Sequence, residues 1–437
     1  MKRKLLTAFL ILLVVQSGYS QALDKIKLDN YFQALEASHK FMGSVAISKN
    51  GQVIYTKSIG FKVVEDKAKP DDHTKYRIGS ISKTFTAALM LKAIEENKTV
   101  LSQPISIYFP TIKNADRITI HQLLNHHSGI HNFTSDAEYP TWYTQYKSEG
   151  ELVKLISTIG SDFEPGSKGQ YSNSNYVLLS YILQKLYNKS YADILNEHIL
   201  KPLGLKDTYY GGKINTTNNE SHSYKLSGDW VKEMETDMSI PVGAGSIVST
   251  PSDITKFAYA LFSGKIISGQ SLKQMQSLED SFGLGIFQVP FHEKKGYGHT
   301  GGIDGFSSMF GYFPEDEVSF ALTSNGSSYD NNHVAIILLS SVYNKPYEIP
   351  SFKTLTAEDL EQFLGVYADE SFPLKISVTK EGTTLKAQAT GQPAFELEAV
   401  ERNVFRLQSA GLVLHFNPVA KQMTLKQGGR AFLLTKE

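Results

Sequence analysis

Strand-forming segments stand at both ends of a long helical stretch, and this limits the folds open to the chain. Near the start, Val45, Ile47, Val53 and Ile54 flank Asn50-Gly51, a strong two-residue hairpin signal, and predict a β-meander over Gly43–Val64. Strand-like runs return at Phe282–Phe287, Ser307–Phe313 and Val318–Thr323. Between them the spacing predicts helices over Ser80–Glu96, with Phe85, Leu89 and Ala93 on one stripe, over Thr119–Asn125 and over Asn175–Leu186. Thr250-Pro251-Ser252-Asp253 has the chemistry of a helix start, and that helix should run to about Phe262. Further helices are expected at Asp24–Ala37 and Asn331–Tyr343. Early and late strands share one sheet only if the two ends of this region come together, so the expected class is α+β: an antiparallel sheet flanked by helices, with a helical subdomain.

The pattern changes after Asn344-Lys345-Pro346 and Pro350-Ser351, which read as a linker. Leu374, Ile376 and Val378 alternate, as do Leu412 and Leu414, then Met423 and Leu425. Residues 352–437 therefore read as a small all-β module, and 21–345 as the main domain. The first twenty residues combine Lys2, Arg3 and Lys4 with the apolar run Leu5–Val15 and small residues at Gly18 and Ser20. That is the pattern of a secretory signal peptide cleaved after Ser20, and the expectation is an exported protein, periplasmic or secreted, with no membrane anchor once the peptide is removed. There is no cysteine, which excludes a cysteine nucleophile, a thiolate zinc site and a lipid-modified cysteine. Lys+Arg and Asp+Glu both number 44, which supplies no field to recruit nucleic acid.

A nucleophile must then be sought among hydroxyls, and a serine attacks only when something takes its proton. Ser80-Ile81-Ser82-Lys83 puts Ser80 and Lys83 three apart on a helix, hence on one face. Ser80 in the first turn also has free backbone N–H groups and the favourable end of the dipole beside it. Ser377-Val378-Thr379-Lys380 carries the same letters in an alternating strand, where residues three apart point to opposite faces. Tyr171-Ser172-Asn173 supplies a phenol for proton relay and a carboxamide to orient substrate and lysine; Tyr329-Asp330-Asn331 matches by letters too. In His299-Thr300-Gly301-Gly302 the glycines permit close backbone approach, and the N–H groups of Gly302 and Ser80 can form an oxyanion hole.

Ser80-x-x-Lys83, Tyr171-x-Asn173 and His299-Thr300-Gly301, in this order, resemble the three motifs of the serine β-lactamase and penicillin-binding protein superfamily. Tyr76-Arg77-Ile78-Gly79, Leu123-Leu124-Asn125-His126-His127-Ser128-Gly129, Pro165-Gly166, Gly243-Ala244-Gly245 with Ser249-Thr250, and Gly305-Phe306-Ser307 resemble its branch of class C β-lactamases, D,D-carboxypeptidases, D-aminopeptidases and esterases. The resemblance spans about residues 24 to 343. It implies a cleft between a helical subdomain and the sheet. There Ser80 forms an acyl-enzyme, Lys83 and Tyr171 share the proton work, and Asn173, His299, Thr300 and Gly301 hold substrate, with no cofactor and no metal. The acyl donor would be a small molecule or peptide: a D-amino-acid peptide, a peptidoglycan stem or an ester. His299 stands where most β-lactamases carry lysine. With a reference pKa of about 6.5 it is mostly neutral at pH 7, which argues against efficient β-lactam hydrolysis and predicts activity that changes between about pH 6 and 7.

Other chemistry-bearing residues have structural readings. His126 and His127 lack the company of a metal site and read as loop packing. Asp304 reads as a turn residue, and Trp142, Tyr143 and Tyr146 as packing at least as much as cleft lining. Loops 130–150 and 209–239 shape the pocket, and their paths are not fixed by pattern. Two further readings stay open at this level: a superfamily fold that binds or senses ligand while acylating slowly or not at all, and a true β-lactamase.

Overall fold

The computed structural model describes residues 23–227, 229–352, 355–407 and 410–437; the expected signal peptide lies outside them. The early strands β1 (Phe41–Lys49) and β2 (Gln52–Ile59) form the hairpin expected around Asn50-Gly51. The later strands are β3 (Phe287–Phe291), β4 (Lys294–Ile303), β5 (Phe306–Phe313) and β6 (Val318–Ser327). They join in one antiparallel sheet ordered β2-β1-β6-β5-β4-β3. The seam between the two ends of the region is β1 against β6, with Val45 opposite Leu322 and Ile47 opposite Phe320.

Each face of the sheet is covered by helices. Helix α1 (Lys25–Ala37) and a closing helix (Asn331–Val342) bury Leu28, Phe32, Val334 and Leu338 with Ile47, Phe320 and Leu322. The other face meets α2 (Ser82–Glu95), α3 (Asn173–Tyr187) and α4 (Pro251–Phe262) around Phe310, Tyr312 and Ala321. Helix α2 is buried almost all round, as a helix at the centre of a large core must be. Phe85 on α2 stacks on Phe257 of α4, ring centroids 3.6 Å apart. Helix α4 starts as its sequence predicts, with Thr250 capping the Asp253 N–H and Pro251 in the first turn.

Two expectations need correction. The β-meander is a two-stranded hairpin, because the chain leaves the sheet after Ile59. Phe282–Ile286 is not strand: its backbone bonds close on nearby loop groups, Gly283 N to Ile286 O at 2.9 Å and Leu284 N to Met275 O at 3.0 Å. The apolar alternation there comes from Leu284 and Ile286 entering the helical core, so it mimics a pleat without one.

The C-terminal module is a closed barrel of eight antiparallel strands, from Gly365–Asp369 to Arg430–Lys436, sealed where Tyr367 pairs with Lys436. Ile376, Val378, Leu414, Met423 and Leu425 point inward, and Phe363 plugs the core against Phe405 and Phe416. Ser377 and Lys380 lie on one of its strands and form no dyad; the Lys380 ammonium donates to Ala357 O. A Lys40–Glu398 ion pair at 3.5 Å links barrel to body. Among the described residues, no helix is long and apolar enough to cross a membrane. Phe85→Ala should lower the unfolding free energy by about 3–5 kcal/mol, read from the denaturant midpoint, because it empties the stacked contact that joins α2 to α4.

Candidate active site

The motif segments converge where the end of β4 meets the starts of α2 and α3. Ser80 lies on a 3-10 turn, Gly79–Ile81, that feeds directly into α2. Asn173 is the first residue of α3, so that helix begins two residues earlier than its apolar spacing indicated. Two helix starts therefore face one another across Lys83. Its Nζ is 2.9 Å from Ser80 Oγ, 2.7 Å from Asn173 Oδ1 and 2.7 Å from the Ala244 carbonyl.

Lys83 is fully buried, and burial holds its pKa well below that of a free lysine. No carboxylate pairs with it among the described residues. A neutral amine has two N–H bonds and one lone pair. Asn173 Oδ1 and Ala244 O can accept both N–H groups, which leaves the lone pair for Ser80 Oγ. The Ser80 hydroxyl then donates to Lys83 Nζ across the 2.9 Å contact. Asn173 holds its orientation because its Nδ2 donates to Thr134 Oγ1 and its backbone N–H to Asn132 Oδ1, both at 2.9 Å.

The Tyr171 hydroxyl is hydrogen-bonded to Ser80, and burial raises its pKa well above that of a free tyrosine, so it is a neutral phenol able to pass a proton. Its ring sits against His126, centroids 4.5 Å apart. His126 is buried, and its Nδ1 accepts from the Ser172 N–H at 3.2 Å. Loop packing was the sequence reading of His126; the structure adds that the packing is against Tyr171. His127 is tied to the Asn125 carbonyl at 2.8 Å and to Asp280 at 3.2 Å.

His299 lies behind the cleft, buried, with Nδ1 donating to the Thr300 carbonyl at 2.5 Å. Burial first, then the nearby Lys83, pushes its pKa down to about 3. The expectation that His299 titrates between about pH 6 and 7 is thereby corrected: it stays neutral through that range because an imidazolium there would lose its water and face a second cation. Thr300 is exposed on the strand.

The glycines set the spacing. Strand β3 begins at Phe287, opposite Gly298, so the second half of β4 has no strand on that side. The β4–β5 hairpin closes on Ile303 and Phe306 around a two-residue turn. Gly302, next in line, therefore directs its N–H away from β5 and toward the Ser80 turn. The approach is close: a Cβ on Gly79 would lie 2.8 Å from Gly302 N, and one on Gly301 only 2.1 Å from the Ile78 carbonyl. Asp304, at φ 52° in that turn, does more than reverse the chain. Its buried carboxylate pairs with Arg77 at 2.8 Å and accepts from Thr236 N–H and hydroxyl.

Ser80, Asn173 and Gly302 open onto a cleft of about 480 Å³. It is also lined by Phe133, Tyr139 and Tyr143 and by Glu233, Thr236, Ile240 and Pro241. Trp142 packs on Phe133 and Tyr139, and Tyr146 is exposed. The sequence marks segments 130–150 and 209–239 as pocket-shaping and admits Tyr143 as cleft lining; it does not single out Phe133, Tyr139, Glu233 and Thr236, because these segments have no periodic signal.

A serine beside a desolvated lysine amine, with free backbone N–H groups at a cleft, defines a serine hydrolase. The chain belongs to the Beta-lactamase family, whose model matches residues 28–340. It is similar to the teichoic acid D-alanine hydrolase of Staphylococcus aureus, with 28% identity over 335 residues, covering 74% of this chain and 79% of that one. The crystal structure of D-amino acid amidase from Ochrobactrum anthropi SV3 is similar at TM-score 0.64 and 26% identity, covering 73% of this chain and 99% of that one. The octameric penicillin-binding protein homologue from Pyrococcus abyssi matches in fold at TM-score 0.69 and 23% identity, covering 94% of this chain and all (100%) of that one, a span that extends into the barrel. The superfamily resemblance read from the motifs and the α+β class with its β module are both borne out.

Gly301→Ala should leave the protein folded by circular dichroism yet slow labelling of Ser80 by a fluorophosphonate at least about ten-fold, because the added methyl displaces the Ile78–Ser80 turn.

Proposed function

We propose that the protein is an exported serine hydrolase that works through an acyl-enzyme on a D-amino-acid peptide, a peptidoglycan stem or an ester. The observation that carries this reading is the Lys83 amine, buried, held by two carbonyl acceptors and aimed at Ser80 Oγ. Ser80 Oγ attacks the acyl carbon as its proton passes to Lys83 Nζ. The carbonyl oxygen becomes an oxyanion stabilised by the Ser80 and Gly302 N–H groups. The proton then travels through the Tyr171 hydroxyl to the departing alcohol or amine, the carbon–heteroatom bond breaks, and an acyl ester of Ser80 remains. Water adds to that ester and gives up its proton by the same groups in reverse, which releases the acid and restores Ser80. Asn173 keeps the lysine in line and has an N–H left to orient substrate.

The substrate class draws support from the similar proteins, a teichoic acid D-alanine hydrolase and a D-amino acid amidase, whose names both specify D-amino-acid acyl bonds. Export rests on the first twenty residues, with their basic start, apolar run and small residues before the break. Boundaries near 345 and 352 follow the linker pattern.

Ser80→Ala should abolish turnover and covalent labelling without unfolding the protein, and Lys83→Ala should reduce turnover by about 10³-fold or more. Unchanged turnover in purified Ser80→Ala sinks the mechanism.

The pH profile tests the base. Lys83 acts as its neutral form, so activity is low while it is protonated and rises with pH through its lowered pKa, below the 10.5 of a free lysine. His299 is already neutral there, so His299→Gln should keep the midpoint of this limb. A midpoint displaced by a full pH unit in His299→Gln would return that histidine to the account.

A further inference from the structure

The cleft in front of Ser80 has an unusual charge balance. Among the described residues that line it there is no lysine, arginine or histidine. Its lining carries two acids instead, Glu233 and Asp304, and they are not equivalent. Asp304 and Glu235 are both committed to the buried Arg77 guanidinium, at 2.8 and 3.2 Å. Glu233 has no such partner: its side chain forms no ion pair or hydrogen bond with the described residues. The adjacent Lys232 is turned away, its Nζ 2.9 Å from His222 Nε2. Glu233 is held by its backbone N–H to the Ser223 carbonyl, 2.9 Å. Its side chain lies beside the β4–β5 turn, where a Cβ on Gly305 would come within 3.1 Å of its Cγ. It thus stands one turn beyond Gly302, on the rim of the same cleft as Ser80.

Aromatic rings line the cleft beside the segment that carries Glu233, where the Asp237 N–H donates to the Tyr143 carbonyl at 2.9 Å. The Tyr139 and Tyr143 rings are tilted to one another with centroids 5.8 Å apart, and Phe133 meets Tyr139 edge-on at 5.9 Å. A free carboxylate beside aromatic rings, in a cleft whose described lining has no cationic side chain, is suited to a small organic cation, held by charge and by the rings together. It opposes a substrate carboxylate, for which the cavity provides no counter-charge. His299 is neutral, and Lys83 is committed to Ser80, Asn173 and Ala244.

We propose that Glu233 is a specificity subsite for a protonated amino group on the acyl donor. The preferred substrate is then an ester or amide of an amino acid whose own α-amino group is free, not an N-acylated donor and not one that bears a carboxylate near the scissile bond. This rests on the hydrolase reading above and narrows its substrate from the three donors named there to unblocked aminoacyl esters and amides.

The test compares two probes, one with a free, charged α-amino group and one with it blocked: D-alanine methyl ester and N-acetyl-D-alanine methyl ester. The wild-type protein should show a ratio of kcat/KM at least ten-fold in favour of the free amine. Glu233→Gln, which keeps the shape of the side chain, should lower that ratio about ten- to a hundred-fold. Glu233→Lys should reverse it and raise turnover of N-succinyl-D-alanine methyl ester, which offers a carboxylate. Fluorophosphonate labelling of Ser80, with a neutral probe, is run on all three proteins as a reference. If Ser80 takes up no phosphonyl group in the wild type, the hydrolase reading falls and the subsite with it. If Ser80 labels in every protein but the ester ratio is the same in Glu233→Gln as in the wild type, the subsite alone is overturned. Labelling that fails only in the variants signals misfolding, and Tyr143→Leu then serves as the second variant, expected to lower the same ratio; an unchanged ratio there overturns the proposal.

Discussion

A lysine with no counter-ion at the bottom of a protein core is costly while charged, and most of this structure serves to hold that one amine neutral and aligned. Taking an ammonium out of water is expensive enough that a buried lysine gives up its proton. Lys83 is buried because α2 runs through the centre of the helical core, and α2 is central because almost every side of it is apolar or small. The two carbonyl acceptors come from elsewhere: Asn173 from the start of α3, Ala244 from the short turn Val242–Ala244. Any movement of α3 or of that turn would free an N–H and misdirect the lone pair.

The oxyanion side depends on a different constraint, the absence of side chains. The end of β4 passes within backbone contact of the Ser80 turn, and a methyl group at Gly79 or Gly301 would collide with the opposite main chain. That approach is braced by a buried ion pair. Arg77 precedes the Ser80 turn, Asp304 follows the end of β4, and their contact joins the two segments just beyond the oxyanion hole. Arg77 also takes the carbonyls of Gly212 and Thr236, so one guanidinium ties the 212 and 236 loops to the same point. Breaking such a pair by removing one partner costs roughly 3–5 kcal/mol. The loop that carries Glu233 to the cleft is therefore positioned by the same residue that fixes the nucleophile's turn.

Local pattern carried much of this. Asn50-Gly51, the Thr250 cap and the alternation of the C-terminal strands each act within a few residues, and each forms the element expected of it. The chemistry of Ser80 and Lys83 was legible because three residues on a helix is a fixed geometry. Pattern failed where alternation arose from something other than a strand, as at Phe282–Ile286, and where a side chain's state depends on distant neighbours. His299 is the clearest example. Its reference pKa suggested a titration near neutrality, yet its burial against Lys83, far away in sequence, removes it from that range. Asp304 carries a turn signal in its sequence; its partner Arg77 does not.

The sequence by itself determined the class of fold, the order of the motif segments and the identity of the serine–lysine pair, because these follow from short-range geometry and from strands that need one another at the two ends of the body. Tertiary structure decided the protonation state of Lys83 and His299, the closing of the last eight strands into a barrel and the make-up of the cleft. Phe133, Tyr139, Tyr143 and Glu233 meet there from two loops without periodicity. Desolvation and charge balance are properties of an enclosed space, and no stretch of chain encloses space alone.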